Sequence, residues 1–170
     1  RLDGMVIGRE DMFQGEEVPP GDERLAYISG FTGSAGFALI TTYTAVLFSD
    51  GRYSLQMVSQ TDPAYWQCHT LPHYSLNDYL GQRSLDGLTI GIDPLLVTMT
   101  GYQRYADSIS KARGQLIAID ANPVDAIWFD QPAMPEPSAW RMDDAVAGQS
   151  VASKLRMLAD DLRQRNLRAT

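Results

Sequence analysis

Tyr27–Gln60 reads YISGFTGSAGFALITTYTAVLFSDGRYSLQMVSQ, and its punctuation decides the fold. Gly30, Gly33 and Gly36 recur every third residue and lead into Gly36–Thr41 (GFALIT), a run of β-formers. Three residues, Thr42–Thr44, separate it from Ala45–Ser49 (AVLFS), spacing that predicts an antiparallel hairpin. Asp50-Gly51 stops the second strand. Arg52–Thr61 then carries Tyr53, Leu55, Met57 and Val58, a helix with one buried face. Asp62-Pro63 ends it, because proline disfavours a helical residue before it.

Working outward, Met5–Gly8 (MVIG) is a first strand, followed by a polar loop, Arg9–Arg24, centred on Pro19-Pro20-Gly21-Asp22. Ala26–Phe31 is aromatic and apolar and bounded by glycines. Tyr65–Leu71 alternates weakly, as another strand. Ser75–Gln82 is a short helix with Ser75 as N-cap and Asp78 three residues on, the spacing of a capping box. Leu88–Asp93 and Gln115–Asp120 are strands flanking a helix over Thr98–Ala112, with Gly114 expected to close that helix. Strand, helix, strand implies a parallel crossover, so with the hairpin the sheet is mixed. The expected class is α/β, a three-layer α/β/α arrangement with a mixed, partly antiparallel sheet whose order resembles the ribonuclease H-like motif.

Prolines 123, 132, 135 and 137 then break the pattern, and Val151–Arg165 follows with Val151, Leu155, Leu158 and Leu162 on one helical face. The expected organisation is an α/β domain over 1–121, a proline-rich linker over 122–150, and at 151–170 a helix that opens a second, similar domain. The chain opens without Met directly before a strand-like run, which reads as a start inside a longer natural chain. The stripe of the last helix needs cover from the body or from a second copy in a swapped homodimer.

Composition bounds the function. The chain has 170 residues, 44% hydrophobic and 21% charged, proportions of a globular fold. A formal net charge of -7 argues against nucleic acid and anionic membrane as partners, since both need a basic surface. A single cysteine, Cys68, forms no intrachain disulfide and fits a reducing, cytoplasmic setting.

Several residue sets invite a chemical reading. The glycine triplet lacks the lysine of a phosphate loop and opens onto a strand, so close turns are its plainer role. His69 and His73 with Cys68 would need carboxylates to complete a metal site, and Pro72 interrupts the helical spacing. Ser34 in GSAG has no partner base. Asp50, Asp93 and Asp120 each follow a strand and together would suit a two-metal nuclease; as single residues they are turn-formers. Arg52 in DGRY stands at a helix start, against the dipole. It either pairs with Asp50 or reaches toward the carboxylate of a bound peptide. Trp66 is read as core, Trp128 and Trp140 as pins for the tail.

The segments ERLAYISGFTGSAGFALIT, AVLFSDGRYSLQM, TIGIDPLL, NPVDAIWFDQP and AGQSVASKLRMLADDLRQRN resemble, in order, the amino-terminal domain of Xaa-Pro aminopeptidases of the creatinase and prolidase group, most closely three-domain members. The resemblance implies a metallo-aminopeptidase, a hydrolase that removes the residue before a penultimate proline. Its two divalent ions, commonly manganese, sit in a separate catalytic domain whose ligand motifs are not found here. It further implies that this segment is noncatalytic, covers the active-site cleft, limits access to short proline-containing peptides, and partners the second and catalytic domains. No catalytic, cofactor-binding or metal-binding residue carries over. Arg52 and Tyr53 match the family's DGRY and are the substrate-cleft candidates. The alternatives are a stand-alone metal-dependent nuclease-like enzyme on the three aspartates, or a protein-interaction module.

Overall fold

The computed structural model describes residues 1–168. Its packing divides into two compact units, Arg1–Pro135 and Glu136–Thr170. The first is built on six strands: β1 (Gly4–Gly8), β2 (Phe37–Thr41), β3 (Ala45–Asp50), β4 (Trp66–Leu71), β5 (Thr89–Ile92) and β6 (Gln115–Ala118). Their order is β4-β3-β2-β1-β5-β6. β2 pairs antiparallel with both β1 and β3, and every other pairing is parallel. The sheet is therefore mixed, with five strands running one way and β2 against them. The β2–β3 hairpin pairs Phe37 with Phe48 and Ile40 with Ala45, closing over Thr42–Thr44 as its spacing implies.

Successive side chains of a strand point to opposite faces, and here both faces are buried. Val6, Leu39, Val46, Phe48, Ile90 and Ile92 pack on one side with α3 (Leu76–Gly81) and α4 (Met99–Lys111), which contribute Tyr79, Leu80 and Ile109. Met5, Ile7, Ala38 and Leu47 pack on the other with α1 (Arg24–Ser29), α2 (Ser54–Gln60) and Val124, through Leu25 and Met57. Helices on both faces give the three layers.

Local chemistry accounts for the helix ends. The Ser75–Asp78 capping box is complete, each side chain bonding the other's backbone N–H. Thr98 caps α4 through the N–H of Gly101. Gly30 takes a left-handed φ of 78° and returns its N–H to the Ala26 carbonyl, ending α1. At the other end of α4 the left-handed residue is Arg113, at φ 66°, one place before the expected Gly114. Gly114 instead donates its N–H to the Ile109 carbonyl and lies against Leu85, leaving no room for a side chain.

The run at Ala26–Phe31, to which the sequence pattern assigned no element, is largely helix α1. One local expectation differs. In α2 only Met57 is fully buried; Leu55 and Val58 are 86% and 66% exposed. The first part of the proline-rich stretch packs with the sheet unit through Trp128, read from the sequence as a pin for the tail. Tyr27 stacks on Trp128 and donates its hydroxyl to the Ile127 carbonyl at 2.9 Å, while Arg24 forks onto Asp125 at 2.7 and 3.1 Å. Trp66 packs partly buried against the core, as read.

The second unit carries α5 (Asp144–Ala147) and α6 (Val151–Gln164), the latter capped by Ser150. Val151, Leu155 and Leu158 of its stripe are exposed. The expectations that fall on Ala169 and Thr170 lie outside the described residues. Among the described residues no helix is long and apolar enough to cross a membrane.

Candidate functional site

Because β2 runs against its neighbours, one edge of the sheet gathers the carboxyl ends of β1, β3, β4, β5 and β6 together with the start of β2. Both GSAG, before β2, and DGRY, after β3, therefore fall on the same edge.

DGRY is organised by Asp50. Its carboxylate accepts the Arg52 backbone N–H at 2.9 Å, Arg52 Nε at 3.0 Å and Nη2 at 2.8 Å, so one residue holds both main chain and side chain of Arg52. Hydrogen bonds from Arg52 lower the Asp50 carboxyl below its usual value, and the same bonds raise the Arg52 guanidinium. The guanidinium is still 67% exposed and its Nη1 lies outside this pair. Arg52 Cζ also lies 5.1 Å from the Tyr53 ring centroid. Tyr53 in turn meets Ser34 of GSAG, hydroxyl to hydroxyl at 2.5 Å, a contact that lowers its phenol, and packs edge-on to Phe31.

Arg9 ties this edge together from beneath. Its backbone N–H reaches the Gly36 carbonyl, Nη1 donates to the Ser34 carbonyl at 3.3 Å, and Nη2 pairs with Glu23 at 2.7 Å. The Arg9 side chain is 12% exposed. Gly36 closes the same corner: at φ 153°, a Cβ there would meet the Phe48 carbonyl oxygen at 2.8 Å. The glycine triplet thus serves close turns. What the arrangement offers chemically is a fixed, exposed guanidinium beside a phenol and a serine hydroxyl, suited to receiving a carboxylate.

The three strand-end aspartates do not converge. Asp50 ends β3 and Asp93 follows β5, three strand spacings apart in the sheet order, or about 14 Å. A two-metal centre needs about 4 Å. Asp50 and Asp93 are also committed locally, Asp50 to Arg52, and Asp93 to the Leu95 N–H and to Asn122 Nδ2. This corrects the nuclease-like alternative. His69 is stacked on Tyr74, and burial, then Arg83, lower its imidazole below the usual range. Among the described residues no group of three or more His, Cys, Asp or Glu is placed to hold a metal ion, so the residues present do not fit the di-metal centre that the resemblance implies.

Sequence reasoning missed the loop after β1. Arg9–Arg24 reads as polar surface, yet Asp11 and Asp22 are buried and Glu10 is drawn inward. Asp11 accepts the N–H groups of Phe13 and Gly15, and Asp22 pairs with Arg24. The available signal was position, since charged residues directly after a buried strand lie at the carboxyl edge of the sheet.

The creatinase/prolidase N-terminal domain model matches residues 1–127. Aminopeptidase P1 of Lotus japonicus is 34% identical over 167 residues, which cover 98% of this chain and 25% of that protein. A protein of Pyrenophora teres f. teres named "Probable Xaa-Pro aminopeptidase P" is 36% identical over 169 residues, 96% of this chain and 25% of its own. Among solved structures, X-prolyl aminopeptidase from Caenorhabditis elegans, a cytosolic enzyme with a di-nuclear active site, superposes with a TM-score of 0.77 at 27% identity. That match covers 97% of this chain and 27% of the nematode chain. The N-terminal domain of cytoplasmic peptidase PepQ from Mycobacterium tuberculosis H37Rv gives 0.54 at 26% identity, over 74% of this chain and 87% of that one. The chain spans about a quarter of the length of the curated relatives it matches.

Proposed function

The chain belongs to the creatinase/prolidase N-terminal domain family, and on that premise we propose that it serves as the noncatalytic first domain of a metal-dependent Xaa-Pro aminopeptidase. The observation that carries this reading is the pairing of near-complete coverage here with quarter coverage there, in relatives that bear the aminopeptidase P name. In this reading the sheet domain is followed by the proline-rich linker, and the terminal helix opens a second, similar domain. The metals, with manganese as the expected ion, are held by a catalytic domain that this chain does not supply. The protein works in the cytoplasm, as the nematode neighbour does. Its domain covers the active-site cleft, limits the length of the peptides admitted, and contacts the second and catalytic domains or a second copy.

Arg52 and Tyr53 are the residues proposed to face the cleft. The Asp50 fork fixes the Arg52 guanidinium without burying it, which is the condition for meeting a peptide carboxylate without first ordering a long side chain.

The test is direct. Rigorously purified chain should release no arginine from Arg-Pro-Pro with manganese added. The same residues in frame with a metal-binding catalytic domain should do so. Turnover by the isolated chain overturns the reading.

A further inference from the structure

β1 and β5 lie side by side and parallel, and their chains leave the sheet toward opposite faces. After β1 the chain reaches α1, whose Leu25 is buried with Met5, Ile7 and Leu47. After β5 it enters α4, whose Ile109 is buried with Val6, Leu39 and Ile90. Neighbouring parallel strands whose connections part in this way leave a crevice beyond their carboxyl ends, and open α/β sheets hold ligands there. A cavity of about 270 Å³ occupies that position. Its polar wall includes Glu10, Asp93, Arg104, Tyr105 and Asn122, above an apolar floor from the two strands. Its size suits a small metabolite and is below that of drug-sized pockets.

The charges in this cavity are unevenly committed. Asp93 is taken by the Leu95 N–H and Asn122. Arg9, the cation nearest Glu10 in sequence, is held by Glu23. Neither Glu10 nor Arg104 forms an ion pair among the described residues. The Glu10 carboxylate folds back over Gly8 into the space a side chain at position 8 would fill. Tyr105 feels both: burial and then Glu10 raise its hydroxyl well above the usual phenol range, and Arg104 opposes them. One small cavity thus holds an uncommitted carboxylate and an uncommitted guanidinium. A simple anion would meet Glu10, and a simple cation would meet Arg104. A ligand carrying both charges suits both.

We propose that this crevice binds a free α-amino acid, its ammonium on Glu10, its carboxylate on Arg104 beside the Tyr105 hydroxyl, and its side chain on the apolar floor. The proposal goes beyond the peptidase reading and does not rest on it. Glu10, whose carboxyl is raised to about 7 mainly by burial, must be ionised to accept the ammonium. Binding therefore strengthens as pH rises through that value. Arg9, Asp93, Arg104 and Tyr105 are the other charged or titratable groups around it.

The experiment is a titration of the 170-residue chain with L-leucine, followed by backbone amide NMR shifts. Isoamylamine, which lacks the carboxylate, and 4-methylpentanoate, which lacks the ammonium, serve as the half-ligand probes. L-leucine should shift the Gly8, Glu10, Gly101 and Arg104 amides saturably at millimolar concentrations, with each half-ligand at least about tenfold weaker. Glu10→Gln and Arg104→Gln should each lower the affinity about tenfold or more, in spectra that remain folded. Gly8→Ala, which keeps every charge but displaces the Glu10 carboxylate, should do the same. The proposal is overturned by no saturable shift at tens of millimolar, by isoamylamine or 4-methylpentanoate matching L-leucine, by variants that bind like the parent, or by affinity that ignores pH between 5.5 and 8 (roughly the span over which Glu10 ionises).

Discussion

Tyr27 and Trp128, far apart along the chain, stack with ring centroids 4.5 Å apart and planes 13° apart. The contact joins ERLAYISGF to NPVDAIWFDQP, and so converts a proline-rich stretch into part of the body. Trp128→Ala should cost about 2 kcal/mol, from lost burial plus the ring pair. Urea unfolding should show a lower midpoint at unchanged slope; an unmoved midpoint would show the clasp to be ornamental.

Arg24 reinforces the same clasp from below. It forks onto Asp125 and reaches Asp22 at 2.7 Å, with both Arg24 and Asp22 side chains about nine-tenths buried. The second Asp22 oxygen already has no hydrogen-bond partner. Removing the cation strands a buried carboxylate, so Arg24→Gln should cost about 3 kcal/mol. Replacing Asp22 and Arg24 together with Asn and Met should recover part of that loss, which a double-mutant cycle would measure.

Arg52 is the opposite case. Its pair with Asp50 is exposed to water, and exposed pairs contribute little to stability. Arg52→Ala should leave the unfolding midpoint where it is. In the longer aminopeptidase proposed above it should raise KM for proline peptides about tenfold at near-constant kcat, the pattern of lost ground-state binding. An unchanged KM would remove Arg52 from the cleft.

Glu10 makes stability depend on pH in an unusual direction. Its carboxyl is raised from 4.5 to about 7, mainly by burial and against the pull of Arg9. Between those values the folded chain holds a proton that the unfolded chain has lost. Stability therefore falls as pH rises from about 4.5 to 7, and the penalty is complete above that window. Allowing for solvent screening of a partly exposed carboxylate, it is on the order of 2 kcal/mol. Glu10→Gln should flatten this slope and stabilise the chain at pH 8 (about one unit above the raised value) while changing little at acid pH. Parallel pH profiles for parent and variant would contradict the assignment.

Much of the scaffold was legible because local rules and tertiary packing agree. The hairpin declared itself through two β-rich runs three residues apart, and the capping box through Ser75 and Asp78. The β5–α4–β6 crossover showed a change of period from strand to helix and back. The misses have physical causes. Helix α1 is six residues long, too short for a 3.6-residue period to show against its glycine borders. Helix α2 has an apolar stripe by spacing, but a seven-residue helix set on the sheet through Met57 turns Leu55 and Val58 away. The closure of α4 slipped by one because Arg113 tolerates the left-handed turn while Gly114 is needed for close approach to Leu85. Of the site, DGRY and GSAG were visible as motifs. Their meeting through Tyr53 and Ser34 was not, since the sheet edge that joins them depends on β2 running backwards. The loop after β1 hid its buried charges, because sequence patterns register polarity and not the direction in which a side chain folds.

The guanidinium at position 9 donates to Ser34 and pairs with Glu23 at once. A lysine there would bring a single ammonium centre, able to serve one of those segments and compelled to release the other. The smallest charge-preserving exchange in this polypeptide would therefore uncouple the serine-bearing turn from the approach to its first helix, and with it the footing on which Tyr53 rests.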